Sequence, residues 1–277
     1  MKGKRKIFLD PELARAAVGS KESLEALAIV LGVKITFISS VVTNATAVRL
    51  MHIFGIGHAR YKRAIGYALE KGWLVREGDN IRAAKIKRYD AYNIPLTFDK
   101  HYGKQTDDVR CPYTLTKLCN IIRSSIIVCH ISKQIKVFDT TQMATHPPKR
   151  TSQAKYKAAV KRVEGWGMRK PKLKRKANRL SYARMSELAG CSKSKAKSLV
   201  KSLVGGGVIN KIENYEKTRW HIDEYSRMLR DNYAATGRRG FIVRHDGKVM
   251  LRLANSYTLN KVVVKYLTSD RKKLETA

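Results

Sequence analysis

Acidic residues are scarce in this chain. Of its 277 residues, 22 are Asp or Glu against 57 Lys or Arg, which leaves a formal charge of +35. A deficit that large rules out a self-neutralised surface and demands an anionic partner. No apolar run approaches the roughly 20 residues of a membrane span. The most apolar stretch, residues 121–128, is short and carries Arg123. The basic start at Lys2–Lys6 is followed only by Ile7, Phe8 and Leu9 before Asp10 and Pro11, too little for the apolar core of a secretion signal. A cytoplasmic protein with no membrane partner is therefore expected. The four cysteines, Cys111, Cys119, Cys129 and Cys191, include no Cys-x-x-Cys pair, so free thiols are expected rather than a zinc or redox site. Catalytic patterns are missing as well. The seven histidines are scattered with no His-x-His, the phosphate-binding Gly-x-x-x-x-Gly-Lys-Ser/Thr loop is absent, and Asp107-Asp108 has no second carboxylate cluster to work with. The expectation is a protein without metal, cofactor or enzymatic activity.

What is present is enough apolar material, 43%, to bury cores, and enough length for two domains. The clearest local pattern lies at residues 181–222. Met185, Leu188 and Ala189 share one face of a short helix, Gly190-Cys191 breaks it, and Ser192 is a good N-cap. From Lys193 onward Ala196, Leu199, Val200 and Leu203 recur at helical spacing up to Gly205-Gly206-Gly207. Two strand-like runs follow, residues 208–212 and 217–222, around Asn214-Tyr215-Glu216. Helix, tight turn, helix and hairpin is the winged-helix order. The run SELAGCSKSKAKSLVKSLVGGGVI, residues 186–209, resembles the helix-turn-helix core of bacterial winged-helix repressors and plasmid replication initiators. Gly205-Gly206 departs from that pattern by loosening the helix end.

The same arrangement stands 135 residues earlier. Leu50, Ile53 and Phe54 correspond to Met185, Leu188 and Ala189; Gly55 corresponds to Gly190; Tyr61, Ala64, Ile65 and Ala68 fill the second buried face; and Gly72 matches Gly207. The two stretches are either an ancient duplication, the reading preferred here, or two unrelated units. Gly57 stands where Ser192 caps the other helix. A wing is expected after the first pair, with strands at 73–76 and 81–86 around Glu77-Gly78-Asp79-Asn80. Elsewhere the pattern predicts a helix over 20–31 with Leu24, Leu27, Ala28 and Leu31 inward, a strand over 34–42, and a long helix over 114–137. Further on it predicts a polar helix over 151–164, a basic linker over 169–179, a helix over 223–233, and a hairpin closed by His245-Asp246-Gly247-Lys248. The expected fold is α+β and mostly helical, with two winged-helix domains joined by a helical middle region and a basic linker. The boundaries are 1–90, 91–179 and 180–277.

The resemblance implies sequence-specific binding of double-stranded DNA, the second helix of each pair entering the major groove. In the later unit Ser192 and the first amides of the helix suit a phosphate, while Lys193, Ser194, Lys195, Lys197 and Lys201 project outward. Lys197 and Ser194 are the expected base contacts. In the earlier unit the matching positions are His58, Arg60, Lys62 and Arg63, with Arg60 suited to a bidentate guanine contact. Wing contacts are expected from Arg76 and Arg82, and from Lys211, Lys217 and Arg219. The linker residues Lys172, Lys174, Arg175 and Lys176 should track phosphates without reading sequence. The plain alternative for every one of these cations is a solvated surface. Two such domains in one chain resemble replication initiators of plasmids and phages, which recruit host replication machinery. A transcriptional regulator of a mobile element, or a structural DNA- or RNA-binding protein, would use the same residues.

Overall fold

Residues 21–36 carry apolar side chains on every side, with Lys21, Glu22, Glu25 and Lys34 the only charges, a pattern that suits a helix enclosed by other elements rather than one lying on a surface. In the computed structural model, which describes residues 4–84, 94–99, 109–145, 148, 151–165, 179–217, 224–236 and 242–260, they form α2 (Lys21–Thr36). The Ser20 hydroxyl caps it by accepting the Ser23 N–H at 3.0 Å. Thirteen of its sixteen residues are buried, so α2 is the central helix of its core. Packed with it are β1 (Lys4–Leu9), α1 (Pro11–Ala17), β2 (Val41–Val42), α3 (Ala47–Phe54), α4 (His58–Glu70), β3 (Leu74–Glu77), β4 (Asn80–Ala83) and the start of α5 (Leu115–Thr145). The strand expected over 34–42 is corrected to β2 alone. Val33, Ile35 and Thr36 are β-branched and look like strand, but burial keeps them in the helix, which ends where Phe37 turns extended.

β1 pairs antiparallel with β5 (Ile94–Asp99), from Lys4 opposite Asp99 to Leu9 opposite Ile94. Neither strand was expected from the sequence. The second sheet has the order β2-β4-β3, all antiparallel, with Glu77 opposite Asn80 across a two-residue turn, close to the wing expected there.

The two helix pairs repeat bond for bond. In the first, the Gly55 N–H reaches the His52 carbonyl at 3.3 Å, the Ile56 N–H reaches Met51 at 3.1 Å, and the Tyr61 N–H reaches Gly57 at 2.9 Å. In α7 (Tyr182–Leu188) and α8 (Lys193–Gly205), the N–H groups of Gly190, Cys191 and Ala196 reach Glu187, Ser186 and Ser192 at 3.3, 3.0 and 2.9 Å. Gly55 and Gly190 have φ of +58° and +55°. These are left-handed helix ends of the kind glycine accepts without strain.

The described residues divide into two compact units, one running up to His130 and including Met185–Gly205, the other formed by Ile131–Arg184 and Gly206–Asn260. The α7–α8 turn thus belongs with the α2 core. Gly190 lies so close to the end of α1 that a Cβ there would stand 2.3 Å from the Val18 carbonyl oxygen. Arg123 of α5 donates to the Gly190 carbonyl at 3.2 Å.

The second unit holds the rest of α5, α6 (Gln153–Gly165), β6 (Ile209–Lys217), α9 (Tyr225–Thr236), β7 (Ile242–His245) and β8 (Lys248–Leu259), with sheet order β6-β8-β7. The turn expected at Asn214-Tyr215-Glu216 within the 208–222 hairpin is corrected, and residues 218–222 lie outside the described residues. β6 runs straight through Asn214-Tyr215-Glu216 and pairs with β8. No residue there takes a positive φ. Asn214 is instead buried, its amide donating to the Ala254 carbonyl at 2.8 Å and the Ser256 hydroxyl at 2.9 Å, where the register shifts. The β7–β8 hairpin is as expected, with Asp246 and Gly247 at φ +49° and +69°. The molecule is an α+β protein in which helix predominates among the described residues.

Candidate nucleic-acid interface

At the start of α8 the Ser192 hydroxyl accepts the Lys195 N–H at 3.2 Å, which fixes the helix N-terminus. Ala196, Leu199, Val200 and Leu203 are buried, and a helix of 3.6 residues per turn then puts Ser194, Lys197, Ser198, Lys201 and Ser202 on the opposite side. All five are exposed, as are Ser192 and Lys193, while Lys195 is half-buried at the flank. None of the four lysines has an acidic partner among the described residues. Ser198 and Ser202 were missed from the sequence. Extending the four-residue step from Ser194 reaches both.

In α4 the buried face is Ala64, Ile65 and Ala68, with Gly57 supplying no side-chain cap. Position for position its outer face is poorer. Ala59 and Gly66 stand where α8 has Ser194 and Lys201, and Glu70 stands where it has Gly205. His58 and Lys62 are exposed. Arg60 and Arg63 are not free. Arg60 donates twice to Glu25 of α2, from Nε at 3.0 Å and Nη2 at 2.7 Å, and Arg63 reaches the other Glu25 oxygen at 3.3 Å and Glu22 at 3.8 Å. The Glu25 side chain is only 4% exposed. Burial alone would raise its pKa, but the hydrogen bonds from Arg60 and then Arg63 outweigh that and hold the carboxyl below its ordinary value. The bidentate fork expected to face guanine instead clamps α4 to α2.

Arg76 on β3 and Lys217 on β6 are exposed with no partner among the described residues. Arg82 is paired with Glu77 at 2.5 Å, and Lys211 with Glu213 at 2.5 Å. Arg219 and the linker cations Lys172, Lys174, Arg175 and Lys176 lie outside the described residues.

Glu213 gathers three donors: Lys211, the Tyr215 hydroxyl at 2.5 Å and Arg252 at 3.2 Å. The Lys211 bond foremost, then the Tyr215 hydroxyl, pulls its pKa down to about 2 from an ordinary 4.5. Because the folded value is the lower one, this cluster is intact above about pH 4.5 and is lost as pH falls through about 2. An NMR titration of the Glu213 carboxyl should place its midpoint near 2. Arg252→Ala should move it upward, and an unmoved midpoint would show that the guanidinium has no part in it.

Among the described residues no helix is long and apolar enough to cross a membrane. Compared with known proteins, the chain matches no family model, no curated sequence and no solved structure.

Proposed function

We propose that the chain binds double-stranded DNA sequence-selectively, with α8 as the helix that enters the major groove, and that it serves a plasmid or phage-like element as a replication initiator. The observation that carries this reading is the outer face of α8, where exposed lysines and serines alternate behind a capped N-terminus with no carboxylate among the described residues to neutralise them. Lysine can hold guanine O6 and N7, serine adapts to any base edge, and the first amides of the helix suit a phosphate. α4 assists through His58 and Lys62 as phosphate contacts, with Arg76 beside it. A winged-helix reading of residues 21–83 is supported by the order helix, short strand, helix pair, hairpin, and by β4 lying between β2 and β3. Two repeated helix turns in one chain suit an origin, where host replication machinery would be recruited. An operator would engage the same face.

Selection of bound sequences from a random duplex pool, with RNA as competitor, tests this directly. Recovery of an array of direct repeats supports the initiator role, and a single palindrome supports a regulator. Enrichment of no sequence would overturn the reading. On the selected site, Lys197→Ala should weaken binding by about tenfold and flatten base preference, whereas Lys62→Ala should weaken all sequences alike and reduce the salt slope by about one. With six to ten phosphate contacts, affinity should fall by about three to five orders of magnitude between 50 and 200 mM salt.

A further inference from the structure

The sheet of the second unit carries a surface that duplex reading does not use. On β6 the hydrogen bonds from Lys211 and Tyr215 to Glu213 bring these three side chains together across the register shift between Ile212 and Asn214, and Lys217, two residues after Tyr215, shares their side. The register carries that side across the sheet. Arg252 lies opposite Tyr215, Met250 opposite both Lys217 and Val243, and Lys248 opposite His245. Across it the Tyr215 and His245 rings stack, 4.0 Å between centroids and 16° between planes. Stacking occupies one face of each ring, and both residues remain partly exposed to solvent. The His245 side chain keeps 41% of its surface exposed.

Glu213 makes this arrangement stiff. It accepts from the Tyr215 hydroxyl on one oxygen and from Arg252 and Lys211 on the other, so the phenol ring is tied at its far end. A ring already fixed loses little freedom when a ligand arrives. Lys211, Lys217, Lys248 and Arg252 outnumber Glu213 on this side, and Asp246 sits beyond it at the hairpin tip, 3.4 Å from His245. The surface is therefore cationic around a π-stack.

We propose that this side of the β6–β8–β7 sheet binds single-stranded DNA, with an unpaired base stacked on the Tyr215–His245 pair and neighbouring phosphates held by Lys217 and Lys248. Bases within a duplex have both faces covered by their neighbours, so a ring platform selects strands that are already open. Cations at the edge of the platform suit a backbone running past it. The platform is formed by the sheet alone and includes no residue of α8.

The test uses the full chain with a labelled oligo(dT) and, separately, the duplex selected for α8. Tyr215→Leu, which keeps an apolar strand residue but no π face, and His245→Ala should each weaken oligo(dT) binding by about tenfold and leave duplex affinity unchanged. Tyr215→Phe, which keeps the ring and removes only its bond to Glu213, should bind within about threefold of the unaltered chain. Photo-crosslinking of a bromouracil-substituted oligonucleotide to the unaltered chain should label the peptides that hold Tyr215 and His245, which keeps the proposal testable if a variant fails to fold. Oligo(dT) binding indifferent to Tyr215→Leu and His245→Ala but lost in Lys197→Ala would overturn the platform while leaving the duplex reading intact. Crosslinks confined to α8, or tighter binding of oligo(rU) than of oligo(dT), would overturn it as well.

Discussion

Gly190→Ala should destabilise the protein by about 3 kcal/mol, whereas Gly55→Ala, at the matching position of the other helix pair, should cost only about 1 kcal/mol. Both residues close a helix in the left-handed region, at φ +55° and +58°. An alanine side chain is strained there by about 1 kcal/mol in either place. The difference lies in what surrounds them. A Cβ at Gly55 would have nothing within 4 Å, but at Gly190 it would stand 2.3 Å from the Val18 carbonyl oxygen. That atom is backbone, so no rotamer can withdraw it, and the α7–α8 turn must lift away from α1. Lifting it also strains the Arg123 hydrogen bond to the Gly190 carbonyl. Because α8 begins three residues after Gly190, the same change should weaken selective duplex binding, whereas Gly55→Ala should not. Denaturant unfolding of the two variants measures the contrast. Equal losses would mean that the turn is not seated on α1.

How far such features are legible in the sequence depends on how local their causes are. The helix pairs, the Gly78-Asp79 turn and the Asp246-Gly247 turn were readable because spacing, caps and positive-φ residues all lie within a few positions of one another. α2 looks too short in the sequence because a helix buried on most sides has no polar stripe to mark its end, and Val33, Ile35 and Thr36 then look like strand. β1 and β5 each show only a six-residue run, and what makes them strands is a partner at the far end of the unit. β6 looks like two strands in the sequence because Asn214 and Glu216 are polar. The hydrogen bonds that satisfy Asn214 come from residues 40 and 42 positions on. The site follows the same rule. The outer lysines of α8 were found because a face is a local property, but the side formed by Tyr215, His245 and Arg252 exists only once three strands are in register.

Glu25 sets the strongest expectation about the earlier unit, since it decides what Arg60 and Arg63 can do. Arg60→Ala should lower stability by about 2 kcal/mol. Removing one partner of a buried pair usually costs about 3–5 kcal/mol, but Arg63 remains on the other oxygen and Arg60 is itself one-third exposed. The folded Glu25 pKa lies below 4.5, so the contribution of the pair is present above that value and is lost as pH falls through the folded pKa. Stability of the Arg60→Ala variant should therefore fall less steeply on acidification. Its DNA affinity should hardly change, because that guanidinium points at α2 rather than outward. Glu25→Leu tests the converse. An apolar side chain suits the α2 core, so stability should be nearly retained. Arg60 and Arg63 would be released beside His58 and Lys62. Two freed cations should raise non-specific duplex affinity and steepen its salt slope by about two. If Glu25→Leu leaves that slope unchanged while Arg60→Ala abolishes selective binding, then Arg60 reads DNA from within its ion pair, and α4 rather than α8 carries the specificity.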